Sequence, residues 1–262
     1  MKYGGEIRAY ETDRCILLKY ESCITLIINK NGRNIQIACR DEDLLESLLC
    51  CFNSGIIISM FFRKKMILHG SSFEYKKHIH ALIGDSGVGK STLLLSLLLN
   101  GRHYGIRAYA DDIVTIDSMC RSNSNGMLPY KVCHDMINLA NELVSEKYDI
   151  IEGLNKYWIN FYPTLLVDDS LTLSTIFVLK PHYDDNTDIT IEPLSILEIV
   201  EELTSKIHAF WCLPYEIKKD VIQQLDKIIK QVQVVKISYK KNLNMLSSVT
   251  DSVIKYIDSH IS

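Results

Sequence analysis

The chain has 262 residues, 47% of them apolar and 23% charged, which excludes a disordered or low-complexity chain and allows a sizeable core. Lys and Arg total 29 against 32 Asp and Glu, a formal net charge of −3, so no overall field draws the protein to nucleic acid and no nucleic-acid partner is expected. Eight cysteines without a CxxC pair read as buried thiols in a reducing compartment, not as a zinc site or a disulfide framework.

Met1-Lys2-Tyr3-Gly4-Gly5-Glu6 has no apolar signal-peptide core, and a cytoplasmic location is expected. From Cys15 to Cys39, β-branched residues flank Lys30-Asn31-Gly32-Arg33. Asn-Gly suits the two positive φ angles of a type I′ turn, which predicts a β-hairpin. Asp41 to Phe52 carries Leu44, Leu45, Leu48 and Leu49 at helical spacing behind Asp41 and Asp43, which predicts a helix. Residues 1–65 therefore read as a small, β-rich α+β segment ahead of a domain over 66–262. The apolar runs Gly55 to Phe62 and Leu93 to Leu99 fall short of the ~20 residues a membrane-spanning helix needs, so no membrane segment is expected.

His78 to Ile83 reads as a short strand, and Lys90 to Leu99 as the helix that follows, stopped at Asn100-Gly101. Leucines surround that helix on all sides, which predicts burial at the centre of the domain. Further strands are expected over Ala108 to Ile116, Leu171 to Leu179 and Gln233 to Tyr239, with helices near 135–144, 194–206 and 216–231. Together these make an α/β core. In the last helix Ile217, Val221, Ile222, Leu225, Ile228, Ile229 and Val232 form one apolar stripe, and Arg121 to Gly126 reads as a flexible loop.

Between the first strand and helix of this core lies Gly84-Asp85-Ser86-Gly87-Val88-Gly89-Lys90-Ser91-Thr92, which matches G-x-x-x-x-G-K-[ST] with both flanks in the required order. Gly84, Gly87 and Gly89 let backbone N–H groups converge on phosphate oxygens, and the helix N-terminus adds to their pull. Lys90 can reach the β- and γ-phosphates, and the Ser91 hydroxyl can ligate a magnesium ion bound to them; Thr92 lies one residue further into the helix. A nucleoside triphosphate, ATP with Mg²⁺, is the expected ligand. Asp111 and Asp112 follow about twenty residues later. On extended chain two adjacent carboxylates point in opposite directions, so one can face the metal while the other takes a proton from an attacking hydroxyl; which does which stays open. Lys131 and Lys156 are basic residues able to neutralise a transferring phosphate, and His69 stands in Met66-Ile67-Leu68-His69-Gly70-Ser71-Ser72 ahead of the loop's strand.

Leu68-His69-Gly70-Ser71, Gly84 to Ser91 and Ala110-Asp111-Asp112, in this order, resemble the catalytic domain of the HPr kinase/phosphorylase family of serine kinases. The small N-terminal segment is similar to that of the short members found with ribosomally made peptides, such as lasso-peptide precursor kinases. The specific motifs cover Met66 to Ile116; Leu179-Lys180-Pro181 ahead of Glu192-Pro193-Leu194-Ser195 extends the likeness more loosely. The resemblance implies a phosphoenolpyruvate-carboxykinase-like P-loop kinase core with a mixed central sheet, His69 near the site, and Asp111 or Asp112 as base or metal ligand. It also implies a peptide or protein substrate carrying a serine, and, since members often assemble so, a homo-oligomer. Thr92 stands where the bifunctional enzymes have Glu, and their second glycine-rich signature is missing after the Asp pair, which counts against phosphorylase activity and against HPr as substrate. Two other readings stay open: a regulatory or assembly ATPase, and a kinase of a small molecule such as free serine.

Overall fold

The computed structural model describes residues 7–21, 24–40, 48, 54–123, 130–133, 136, 140–149, 156–162 and 170–261. They divide into two compact units, Met1–Ile67 with Ile207–Gln224, and Leu68–Lys206 with Leu225–Ser262.

The first unit is built on an antiparallel meander, β1 (Ile7–Glu11), β2 (Cys15–Tyr20), β3 (Thr25–Asn29) and β4 (Ile35–Ala38). Ile16 opposes Ile28 and Leu18 opposes Leu26, and all four are buried, so alternate residues of neighbouring strands make one apolar face. Helix α1 (Ile56–Phe62) contributes Ile57, Ile58 and Phe61 to the same core. The β3–β4 hairpin lies at the predicted place with a different turn. Gly32 takes φ 65°, Asn31 does not enter the positive-φ region, and Asn29 N–H bonds Asn34 carbonyl across a four-residue loop. The Asn31 side chain accepts from the Arg33 N–H, which holds it in an Asx turn and accounts for the departure from type I′. The helix expected over 41–52 lies, apart from Leu48, outside the described residues.

The second unit carries the mixed α/β core. Its strands are β5 (Met66–Tyr75, entering from the first unit), β6 (His78–Ile83), β7 (Arg107–Ala110), β8 (Ile113–Ile116), β9 (Arg121–Asn123), β10 (Tyr130–Cys133), β11 (Val144–Asp149), β12 (Lys156–Phe161), β13 (Leu171–His182), β14 (Thr190–Pro193) and β15 (Gln233–Lys240). The large sheet has the order β14-β15-β13-β6-β5-β8-β9, with β7 also paired to β5. Strand β13 runs parallel to both β15 and β6, whereas β5 and β14 run antiparallel to their partners. Ile176, Phe177, Val178 and Leu179 of β13 are all buried, the near-continuous apolar run of a strand covered on both faces.

Five departures from the sequence reading are physical. The strand expected over 108–116 is two strands, β7 and β8, broken at Asp111-Asp112. Arg121 to Asn123, expected as the start of a loop, forms β9, while 124–126 lie outside the described residues. Of the helix expected over 135–144, residues 135 and 137–139 lie outside the described residues and Val144 opens β11 of a small β10-β12-β11 sheet. Helix α3 (Ile196–Ser205) and helix α4 (Tyr215–Gln231) match expectation, but Ile222 is 59% exposed and drops out of α4's stripe. Helix α5 (Leu246–His260) was not expected at all: Ser247, Ser248, Thr250 and Ser252 are weak helix formers. Packing decides there. Val249, Val253, Ile254 and Ile257 enter one core with Leu93, Leu94, Leu97 and Leu98 of helix α2 (Lys90–Asn100), and Ser96 bonds Thr250 hydroxyl to hydroxyl at 2.9 Å.

His80 of β6 is fully buried, with Nε2 3.3 Å from the Tyr75 carbonyl and Nδ1 without a hydrogen-bond partner among the described residues. Burial, with a smaller push from His78, lowers its pKa from 6.5 to about 3. The unfolded chain therefore binds a proton below pH 6.5 that the folded chain refuses, and stability falls as pH drops through that window. Relative to His80→Leu, the wild-type unfolding free energy from urea titration should drop by about 2 kcal/mol between pH 7 and pH 5. Parallel pH profiles for the two proteins would contradict this.

Candidate active site

Strand β5 organises the site by its register. At one end Gly70 pairs with Ile83, the last residue of β6 before the glycine-rich loop; two residues on, Ser72 pairs with Ala110, the last residue of β7 before the aspartates. His69, Gly70 and Ser71 therefore lie between the loop and the Asp pair, which are far apart in sequence.

The loop leaves β6 at Gly84, whose φ is 152° and where an added Cβ would stand 3.0 Å from Val88 and 3.1 Å from the Leu179 carbonyl. Only glycine fits both the backbone and the close approach of β13. Gly87 and Gly89 also have positive φ, and Gly89 begins α2 with no side chain to cap it. The first N–H groups of α2 are thereby left to an anion at the loop. Lys90 is buried, and its Nζ donates to the Gly84 carbonyl at 3.1 Å and the Asp85 carbonyl at 3.0 Å. Burial pushes its pKa down, while Asp112 most strongly and then Asp111 pull it back up, so both carboxylates act on this ammonium.

Asp111 is buried, and one oxygen, Oδ1, accepts from Ser71 Oγ at 2.5 Å and from Ser91 Oγ at 2.9 Å. Strand β5, helix α2 and the Asp pair thus meet at a single carboxylate oxygen. Asp112 is not on extended chain. Its φ is 63°, a left-handed conformation that Asp tolerates better than most residues, and the kink turns its carboxyl independently of Asp111. Its carbonyl accepts from the Gly70 N–H at 3.3 Å and lies 3.2 Å from His69 Nδ1. His69 is half-buried beside the pair, and its own N–H donates to the Lys206 carbonyl at 2.8 Å.

The structure brings together His69, Gly84 to Ser91, Asp111 and Asp112. Ser86 and Gly87 are exposed at the loop tip, Val88 packs partly against the core, and Thr92 is half-buried one residue into α2. Lys131 and Lys156 lie on β10 and β12, in the small sheet rather than the one that carries the loop; their side chains fall outside the described residues. Tyr130, next to Lys131, does reach the site's field: burial and then Asp111 raise its pKa.

Several side chains at the loop were not singled out from sequence. Ser71 stands in the quoted motif, but its bond to Asp111 needs the strand register to be seen. Lys206, the residue after α3, pairs with Asp85 at 2.5 Å, and Lys241 donates to the Gly87 carbonyl at 2.7 Å and to the Tyr183 hydroxyl at 3.1 Å. Asp85, Gly87, Lys180, Tyr183 and Lys241 line a cleft of about 230 Å³ beside the loop. Nothing in local spacing marks lysines this far downstream.

An oxygen-only set of Ser91 and Asp111 is what a hard cation takes, and no group of three His, Cys, Asp or Glu able to hold a metal occurs among the described residues. That donor set fits an ion that completes its shell with phosphate oxygens and water rather than one held in a protein cage. Among the described residues, no helix is long and apolar enough to cross a membrane.

No family model matches the chain, and no curated protein does. Among solved structures, the chain is similar to the HPr(Ser) kinase/phosphatase from Coxiella burnetii, at 12% identity over 73% of this chain and 98% of that one, with a TM-score of 0.36.

Proposed function

We propose that this protein is an ATP- and Mg²⁺-dependent kinase that phosphorylates a serine hydroxyl, with a ribosomally made precursor peptide as the favoured substrate class. The observation that carries the reading is the meeting of Ser91 and Ser71 on Asp111, with the charges of both Asp111 and Asp112 acting on the Lys90 ammonium. A loop that only bound nucleotide would need no second carboxylate there; a phosphoryl transferase needs one group for the metal and one for the acceptor.

In this reading the N–H groups of the loop and of α2 cradle the phosphates, and Ser91 and Asp111 hold the metal. A Mg²⁺ ion held by these two side chains would supply positive charge to the phosphates. Lys90 leaves the Gly84 and Asp85 carbonyls for the β- and γ-phosphates and neutralises the oxygen that departs with the diphosphate. Asp112 accepts the acceptor's proton as its oxygen bonds to the γ-phosphorus and the bond to the β–γ bridging oxygen breaks. His69 positions Asp112 through the backbone carbonyl it touches.

The test is the fate of label from [γ-³²P]ATP with Mg²⁺ and a pool of serine-containing peptides. Label on peptide supports the kinase. Label released only as inorganic phosphate, at a rate that a partner protein changes, would replace it with a nucleotide-driven switch, and label on free serine would move the acceptor to a small molecule.

A further inference from the structure

The ion pair at the mouth of the loop is unequal. The Lys206 side chain is 11% exposed, whereas the Asp85 side chain is 71% exposed. A nearly buried ammonium therefore rests on a carboxylate that can swing into water at little cost. Lys206 is held in place from behind: its N–H caps α3 through the Leu203 carbonyl, and its own carbonyl takes the His69 N–H. Among the described residues, the Asp85 side chain has no such anchorage besides Lys206 itself. An ammonium taken out of water needs an anion, so Lys206 can leave Asp85 only for another negative group.

The position of the pair identifies that group. The Asp85 carbonyl accepts from Lys90 Nζ, so the residue that holds Lys206 also touches the lysine expected at the β- and γ-phosphates. Lys180, at the end of β13, stands on the same cleft and pairs with Glu202 at 2.5 Å. Lys206 most strongly, then Lys180 and Lys90, pull the Asp85 carboxyl below its ordinary range, so three ammoniums act on one carboxylate.

We infer that Lys206 is a ligand of the terminal phosphate of the bound nucleotide, and that Asp85 is its internal competitor, displaced when the triphosphate enters. This rests on the reading of the loop as a nucleotide site and adds a residue that discriminates triphosphate from diphosphate. Asp85 holds the lysine in position while the site is empty and gives it up to a ligand of higher charge.

The experiment is calorimetric titration of Mg·ATP and Mg·ADP into wild type, Lys206→Met, Lys206→Arg, Asp85→Asn and the Lys206→Met/Asp85→Asn double variant. Lys206→Met should weaken ATP by about 10- to 100-fold, the loss of one charge-assisted contact, and ADP by less than about threefold. Lys206→Arg should recover most of the loss. Asp85→Asn should bind ATP several-fold more tightly than wild type, since the competitor is gone, and that gain should vanish in the double variant. ATP binding by Lys206→Met equal to wild type overturns the inference alone. So does an Asp85→Asn loss matching that of Lys206→Met, because a purely structural ion pair suffers equally from either side. Asp85 is exposed, so its variant reports even where Lys206→Met fails to fold. If the wild-type chain binds neither nucleotide, the nucleotide site itself falls, and this inference with it.

Discussion

Asp112→Asn should lower phosphoryl transfer by about 10³-fold while leaving Mg·ATP affinity within about threefold of wild type. The substitution isolates the charge. Asparagine is one of the few residues that accepts the left-handed backbone at this position, where φ is 63°, so the kink and the carbonyl that meets His69 and Gly70 survive. What disappears is the carboxylate that, of the two aspartates, acts more strongly on Lys90. In its proposed role as proton acceptor it would contribute to the transition state and little to ground-state binding, so the loss belongs in kcat rather than in the dissociation constant. Initial rates at saturating ATP, with calorimetry alongside, measure both. A variant that transfers within threefold of wild type would move the base elsewhere, with His69 as the next candidate by position.

Asp111→Asn should act through the metal instead. Its Oδ1 already accepts two hydroxyls, from Ser71 and Ser91, a crowded oxygen whose negative charge offsets the cost of burying it. An asparagine oxygen keeps the shape and loses the charge that a divalent cation requires. The half-saturating Mg²⁺ concentration should rise by more than about tenfold, on the scale of losses seen when metal shells are altered, and excess Mg²⁺ should restore part of the rate. Asp112→Asn should show no such rescue. Magnesium titrations of the rate for both variants separate the two carboxylates, which sequence alone left interchangeable. If Asp111→Asn keeps the wild-type magnesium dependence, the metal is not on Asp111.

Features set by local sequence were readable from the chain. The glycine-rich loop stands out because glycine at Gly84 and Gly89, a lysine and a hydroxyl fall at the constrained positions of one motif within nine residues. Helix α2 was readable for the same reason, with Gly101 at its end and leucines all round. Residues whose role depends on register were not. Ser71 gains its partner only because β5 pairs with both β6 and β7, and Lys206 reaches Asp85 from 121 positions away.

Expectation failed where a local rule yielded to tertiary context. Two aspartates before a β-branched run look extended, yet pairing of β5 with strands on either side of them forces a turn at Asp112. Asn31-Gly32 favours type I′ in isolation, but the Asn31 side chain holds a different turn. Helix α5 is poor in helix formers and exists because Val249, Val253, Ile254 and Ile257 meet the leucines of α2.

The central claim is that the paired aspartates turn a phosphate-binding loop into a serine kinase site. Its most direct test is a single turnover of [γ-³²P]ATP with Mg²⁺ and serine-containing peptide, followed by phosphoamino-acid analysis of wild type and Asp112→Asn. The account predicts phosphoserine from wild type and almost none from a variant that still binds ATP. Equal phosphoserine from both, or label found solely as inorganic phosphate, would contradict it.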